Sequence, residues 1–359
     1  MTTSTLTSIA PAPAPLWSAE ILAPDWLSTH VYPQLPGLQI TGVREVWRQE
    51  NTATKIRVAV EADDAPPEMT RALCIKGMFD ESGIKWLANG VSLTEARFYS
   101  ELAPALRAGG LRVPPCLYAG VDEATGHGLI VMEDLVPAGA EFLTALTPYS
   151  ADQARHSLTE LARLHAGTGP GSAFAVYPLT GLSIAAAAQK SMIPLDVLQE
   201  LLDGPRSAPL PEYLRDAGRV HRGLGALVER FRGEPTCIVH GDAHAGNLYR
   251  HEGGAGIIDW QLLQHGHWAL DVAYHIGAAL TVEDRRTHER ELLAHYIDQR
   301  AALGAPVARP DQAFADYGAA MAYGFYLWAI TRRVQQDIIL EFVKRLGLAV
   351  DDHASLRSV

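Results

Sequence analysis

Cysteine is scarce, with three in 359 residues, at Cys74, Cys116 and Cys237. Their odd number, wide spacing and lack of any CxxC pair exclude a disulfide framework and a cysteine-built zinc or redox centre. Buried reduced thiols of a cytoplasmic protein are the expectation. Charge is sparse too. Only 20% of residues are Asp, Glu, Lys or Arg, the formal net charge is -11, and no run of Lys and Arg occurs. Such a chain has little with which to neutralise phosphates, so no nucleic-acid partner is expected. The acidic balance itself reads as solubility. Long apolar runs are missing as well. The longest nearly apolar segment, 319–330, is too short to span a bilayer and reads as a buried helix, so no membrane partner is expected. Residues 1–15 are mainly Thr, Ser, Ala and Pro, without a basic start or an apolar stretch. They read as a flexible tail rather than a secretory signal.

Apolar residues make up 48% of the chain, and its length allows two lobes with cores of their own. Trp17, Trp26 and Leu27 among prolines suggest a short leading helix. Strand-like runs follow at 38–47, 55–60 and 71–78, with 49–54 as a hairpin tip between the first two. Ser92-Leu93-Thr94-Glu95 reads as a capping box opening a helix. Two more strand-like runs, 115–121 and 128–132, flank a hairpin signal at 122–127. Strand-strand-strand-helix-strand-strand predicts a five-stranded antiparallel sheet with one helix. Beyond it, Ser150 caps a helix through Leu158, Leu161, Leu164 and His165, and helical patterns fill 265–302 and 311–347. The expected division is a tail and leading helix at 1–37, a sheet lobe at 38–134 and a mainly helical lobe at 135–359.

The most telling stretch is His240-Gly241-Asp242-Ala243-His244-Ala245-Gly246-Asn247, followed by Ile257-Ile258-Asp259-Trp260. A carboxylate, an amide five residues on, and a second carboxylate ending an apolar run match the arrangement of the protein-kinase catalytic loop. There the first carboxylate orients or accepts the proton of an attacking hydroxyl, and the other two groups hold Mg²⁺ against nucleotide phosphates. Gly, Asn and Asp also build ordinary turns. However, the buried-strand pattern of Cys237-Ile238-Val239 brings this loop to a strand end, where a ligand can reach it. His-Gly-Asp here replaces the His-Arg-Asp of protein kinases, which argues for a constitutively assembled site rather than one tied to a phosphorylated activation loop.

His-Gly-Asp-x-His-x-x-Asn followed by Ile-Asp-Trp resembles the aminoglycoside phosphotransferase and choline kinase superfamily. More narrowly it is similar to the ecdysteroid-kinase-like branch, through Cys74-Ile75-Lys76, Glu95 to Leu102 and Val131-Met132-Glu133-Asp134-Leu135. The resemblance covers about 40–345. It implies a bilobal, protein-kinase-like α+β fold, with ATP and Mg²⁺ in the cleft and a small-molecule hydroxyl compound as acceptor. Lys76 would grip the nucleotide phosphates, with Glu95 as its partner and Glu101 as the second candidate. Asn51 and Thr52, in a hairpin short of glycine, would cover the phosphates, and Glu133, Asp134 and Leu135 would bind the base through backbone groups. Asp242 would act on the acceptor, and Asn247 and Asp259 would hold the metal. His240 and His244 would support the loop or substrate, and Asp271 would brace the loop.

The alternatives are an inactive kinase-fold binding module and, less favoured, a metal-dependent hydrolase using the histidines. A zinc pair at His240 and His244 would need a helix to bring both rings to one face, and Gly241 spoils that geometry. The aromatic cluster Tyr317, Tyr323, Phe325, Tyr326 and Trp328 reads as core before pocket lining. A monomer and a homodimer both remain open.

Overall fold

The computed structural model describes residues 13–179, 183–357 and 359. Most of the expected tail, residues 1–12, lies outside them. Its end is not loose: Tyr118 donates its hydroxyl hydrogen to the Pro13 carbonyl, and His127 Nδ1 lies 3.0 Å from the Ala14 carbonyl.

The chain divides into two compact units. Unit 1 is 1–104 with 114–138, and unit 2 is 105–113 with 139–359. The division is therefore discontinuous, where the sequence suggests a single cut after Asp134.

Unit 1 carries a five-stranded antiparallel sheet of β1 (Gln39–Glu50), β2 (Thr54–Asp63), β3 (Ala72–Gly77), β4 (Cys116–Asp122) and β5 (His127–Glu133), in the order β1-β2-β3-β5-β4. Alternation decides its faces. Ile56, Val58, Val60, Leu73, Ile75, Leu129 and Val131 form one core with Trp26, Leu27 and Tyr32. Two short helices rather than one, α1 (Ser18–Ile21) and α2 (Pro24–His30), precede the sheet. α3 (Asp80–Ile84) and α4 (Val91–Arg97) follow β3, and a π-turn at Phe98–Leu102 leads into α5 (Ala103–Ala108).

The capping box expected at 92–95 does not form. The helix starts two residues earlier, behind Gly90 in the left-handed region at φ 65°. Ser92 Oγ instead accepts from the Gly128 amide at 3.1 Å, which ties α4 to β5. The corresponding expectation at Ser150 holds. Ser150 and Gln153 exchange side-chain and backbone hydrogen bonds at the start of α6 (Ala151–Thr168).

Unit 2 is mainly helical. After α6 come α7 (Ile184–Gln189), α8 (Leu195–Asp203), α9 (Ala217–Arg230), α10 (Ala269–Ala279), α11 (Val282–Ala302), α12 (Pro310–Ile330) and α13 (Gln336–Asp352). Its strands are β6 (Glu141–Phe142), β7 (Cys237–Val239), β8 (Leu248–His251), β9 (Gly254–Ile257) and β10 (Gln264–Gly266). β10 pairs with β7, while β6, β8 and β9 form a second small sheet. α10 is buried on every side. Its polar side chains must therefore find protein partners, since an unpaired buried polar group is costly. Tyr317, Tyr323, Phe325, Tyr326 and Trp328 on α12 are all buried, which makes the aromatic cluster core. Among the described residues no helix is long and apolar enough to cross a membrane.

Candidate active site

β7 is short and wholly buried, and its register with β10 sets Val239 against Gln264. The chain emerging from it turns at Gly241, at φ 79°. A Cβ at that position would stand 2.2 Å from the Leu262 carbonyl oxygen, so only glycine fits. Asp271, fully buried on α10, accepts from the amides of His240 at 2.6 Å and Gly241 at 2.9 Å. Its Oδ2 also lies 3.0 Å from His165 Nε2 on α6, and His165 Nδ1 lies 2.7 Å from the Tyr296 hydroxyl. Tyr323 donates to the Gly241 carbonyl at 2.7 Å and accepts from Gln264 at 2.9 Å.

His240 uses both ring nitrogens on the loop. Nδ1 accepts from the Asp242 amide at 3.2 Å, which leaves Nε2 to donate to the Ile258 carbonyl at 3.0 Å. His275, one helical turn beyond Asp271, reaches the Ala243 carbonyl at 3.1 Å through Nδ1 and Ser157 Oγ at 2.7 Å through Nε2. Burial pushes its pKa down to about 4, so the ring is neutral at pH 7.

Asp242 is partly open to solvent, with 26% of its side chain exposed. Oδ1 accepts from the Tyr274 hydroxyl at 3.0 Å, and Oδ2 accepts from Asn247 Nδ2 at 3.1 Å. His244 Nε2 stands 3.5 Å from Oδ2. Burial opposes ionisation of this carboxyl and Asp259 adds to that, but the adjacent His244 and His240 prevail and hold it below the usual carboxylate range. It is therefore a carboxylate at neutral pH. His244 Nδ1 accepts from the Gly246 amide at 3.0 Å, and its ring lies among Tyr274, Trp328 and Phe342.

Asn247 Nδ2 also donates to the Asp242 carbonyl at 2.8 Å, so its Oδ1 faces away from Asp242. The Asn247 carbonyl accepts from the Ile258 amide at 2.9 Å, which fixes the 258–259 backbone to the loop. Asp259 follows in the left-handed region at φ 67° and ψ 63°. Non-glycine residues in that region are uncommon and concentrate at functional sites. Asn247 and Asp259 are hard oxygen donors of the kind Mg²⁺ takes, and the fit is good for an ion that completes its shell with phosphates and water. Among the described residues no group of three His, Cys, Asp or Glu side chains forms a metal-holding set by itself.

In unit 1, Lys76 on β3 and Glu95 on α4 form an ion pair of 2.6 Å, with 5% and 4% of their side chains exposed. Glu101, the other candidate partner, is exposed on the π-turn. Asn51 and Thr52 are in the loop joining β1 to β2. In the segment after β5, the Glu133 amide donates to Pro115 and the Asp134 amide to Ala72, each at 2.9 Å. Asp134 Oδ2 accepts from Arg57 at 2.8 Å and its Oδ1 from the Val136 amide at 3.1 Å. That carboxylate is occupied in shaping the segment.

Sequence reasoning missed Tyr274, His275, Ser157 and Tyr323 as loop supports, and it noted His165 only as part of a helix. The available signal was spacing: Asp271, Tyr274 and His275 are i, i+3 and i+4 on one helix and share a face.

Residues 87–310 match the model of the phosphotransferase enzyme family. A curated relative, methylthioribose kinase of Erwinia tasmaniensis, is 26% identical over 137 residues, 33% of this chain. The match spans about a third of that relative's length, 34%. Two solved structures share the fold. Choline kinase LicA from Streptococcus pneumoniae aligns over 92% of this chain and 97% of its own, with a TM-score of 0.50 at 16% identity. Choline kinase from Cryptosporidium parvum aligns over 91% and 93%, with a TM-score of 0.51 at 12% identity.

Proposed function

The chain belongs to the phosphotransferase enzyme family, and on that premise we propose that it is an ATP- and Mg²⁺-dependent kinase moving the γ-phosphoryl group to a hydroxyl of a small organic molecule. The observation that carries this reading is the partly exposed Asp242 side chain just beyond β7, whose two oxygens accept from Tyr274 and Asn247 within one short loop. Asp242 would accept the hydrogen bond of the acceptor hydroxyl and aim its oxygen at the γ-phosphorus. As that oxygen bonds to phosphorus, the bond to the bridging oxygen breaks, ADP leaves, and the hydroxyl proton passes to Asp242. A carboxylate with a lowered pKa is a weak base, so the proton moves late and the rate comes mostly from positioning and electrostatics.

Asn247 Oδ1 and Asp259 would hold Mg²⁺, which when bound supplies charge neutralisation on the phosphates. Lys76, steadied by Glu95, would neutralise phosphate charge, and Asn51 and Thr52 would offer donors from the hairpin. With the Glu133 and Asp134 amides, the Asp134 carboxylate and the Leu135 carbonyl engaged elsewhere, recognition of the base would fall to the Leu135 amide. His240, His244 and Asp271 would position the loop.

An inactive binding module is disfavoured by the presence of Lys76, Asp242, Asn247 and Asp259 together. A histidine-based hydrolase is disfavoured because both ring nitrogens of His240 serve backbone groups. The buried aromatic cluster on α12 gives no support to a steroid-like acceptor. The finer resemblance to ecdysteroid-kinase-like proteins remains a reading of the sequence. Methylthioribose and choline head the acceptor panel, since they are what two relatives' names specify.

The test is a screen of hydroxyl compounds coupled to ADP release, with and without Mg²⁺. The expected result is Mg²⁺-dependent turnover with at least one acceptor, abolished in Asp242→Asn. Undiminished turnover in Asp242→Asn or Asp259→Ala overturns the assignment.

A further inference from the structure

We infer that Tyr274 is a positioning residue for phosphoryl transfer: its hydroxyl fixes Asp242 Oδ1 so that one acceptor position on that oxygen is left for the substrate hydroxyl. The inference rests on the kinase reading above and deepens it.

A carboxylate presents about four acceptor positions. Tyr274 occupies one on Oδ1 at 3.0 Å, and Asn247 occupies one on Oδ2 at 3.1 Å. His244 Nε2 stands 3.5 Å from Oδ2. The carboxylate plane is thus pinned from both ends, and the least encumbered position is the second lone pair of Oδ1.

Tyr274 cannot readily leave. It is buried, its ring meets Tyr323 edge-on at a centroid distance of 6.1 Å, and a Cβ on Gly324 would come within 2.5 Å of it. Burial and the adjacent Asp242 charge raise its own pKa well above the usual phenol value, so it stays a donor at every working pH. Because its only hydrogen points at Asp242, Tyr274 acts through the carboxylate and not on the substrate. An unpinned Asp242 would rotate about its last bond, and water would then compete for the transferred group.

Tyr274→Phe removes the hydroxyl and keeps the ring. Tyr323→Phe is the control, since its hydroxyl serves the Gly241 carbonyl on the same loop without touching the carboxylate. The first readout needs no acceptor. Infrared spectra of protein labelled with 4-¹³C-aspartate, with Asp242→Asn as the blank, isolate the Asp242 carboxylate band. Tyr274→Phe is expected to shift and broaden that band, and Tyr323→Phe to leave it in place. The second readout is coupling, as phosphorylated product per ADP released. It is expected to fall several-fold in Tyr274→Phe, with KM for ATP within about twofold of wild type, and to stay at the wild-type ratio in Tyr323→Phe. A purely structural role would lower thermal stability and turnover while leaving band and coupling ratio intact. An unchanged band, or equal changes in both variants, overturns the inference. A shifted band in a protein that phosphorylates no acceptor would instead refute the kinase reading and leave the contact standing.

Discussion

Lys76 stands on a strand of unit 1 and Asp242 in the loop just beyond a buried strand of unit 2, and they are held by different means. Lys76 is matched with Glu95 across 2.6 Å in a nearly dry setting, charge against charge. Asp242 belongs to a loop fixed by many hydrogen bonds, made by His240, His275, Tyr274, Tyr323 and Asn247, with Asp271 buried behind them. A buried ion pair is unforgiving, because loss of one partner strands the other's charge in a medium that solvates it poorly. A web spreads the load, so that each strand of it contributes modestly. The first device fixes a charge, and the second fixes a geometry.

The largest expected effect breaks the chemistry and spares the fold. Asp242→Asn keeps the shape and the acceptor role for Asn247, yet kcat should fall by about three orders of magnitude, the scale for losing a group that acts in the transition state. Steady-state kinetics checks the rate, and an unchanged melting temperature checks that the web survived. Next is the ion pair. Glu95→Ala should cost about 3–5 kcal/mol, whereas the double change Lys76→Met with Glu95→Leu should recover most of that stability without activity. Urea unfolding of the single and double variants separates brittleness of the pair from general intolerance at the position.

The neutral histidines sharpen the comparison through pH. His275 and His267 are buried, and their folded pKa values are pushed down to about 4. In the unfolded chain they take up protons near the ordinary histidine value of about 6.5, while the folded protein refuses them until about pH 4. Their contribution to stability is therefore complete above about pH 6.5 and declines as pH falls toward 4, by about 1.4 kcal/mol per pH unit for each ring. Denaturant titrations across this window should show the loss, and His267→Phe should make it shallower. The smallest effect is expected at the rim of the web. Ser157→Ala removes one partner of His275 and should cost about 1 kcal/mol with little change in kcat.

Much of this was legible in the sequence, for identifiable reasons. Alternation and hairpin signals located all five strands of the unit 1 sheet, because a half-buried sheet imposes period two on its residues. The Asp242, Asn247 and Asp259 spacing stood out in the sequence because the proposed chemistry would constrain residue types within one short stretch. Ser92 misled because its hydroxyl had two uses, capping α4 or joining it to β5, and only the fold decides between them. The helical runs at 265–302 and 311–347 looked continuous because the breaks at 280–281 and 331–335 carry no proline or glycine. Tyr274, His275 and Tyr323 were hidden because their roles depend on partners more than 30 residues away in the chain.

The most direct measurement is calorimetric binding of a non-hydrolysable ATP analogue, with and without Mg²⁺, to the wild type and to Asp259→Ala. Capture of one ion by Asn247 and Asp259 beside the phosphates predicts that Mg²⁺ strengthens binding to the wild type and that Asp259→Ala loses this increment. Equal strengthening by Mg²⁺ in both proteins would contradict it.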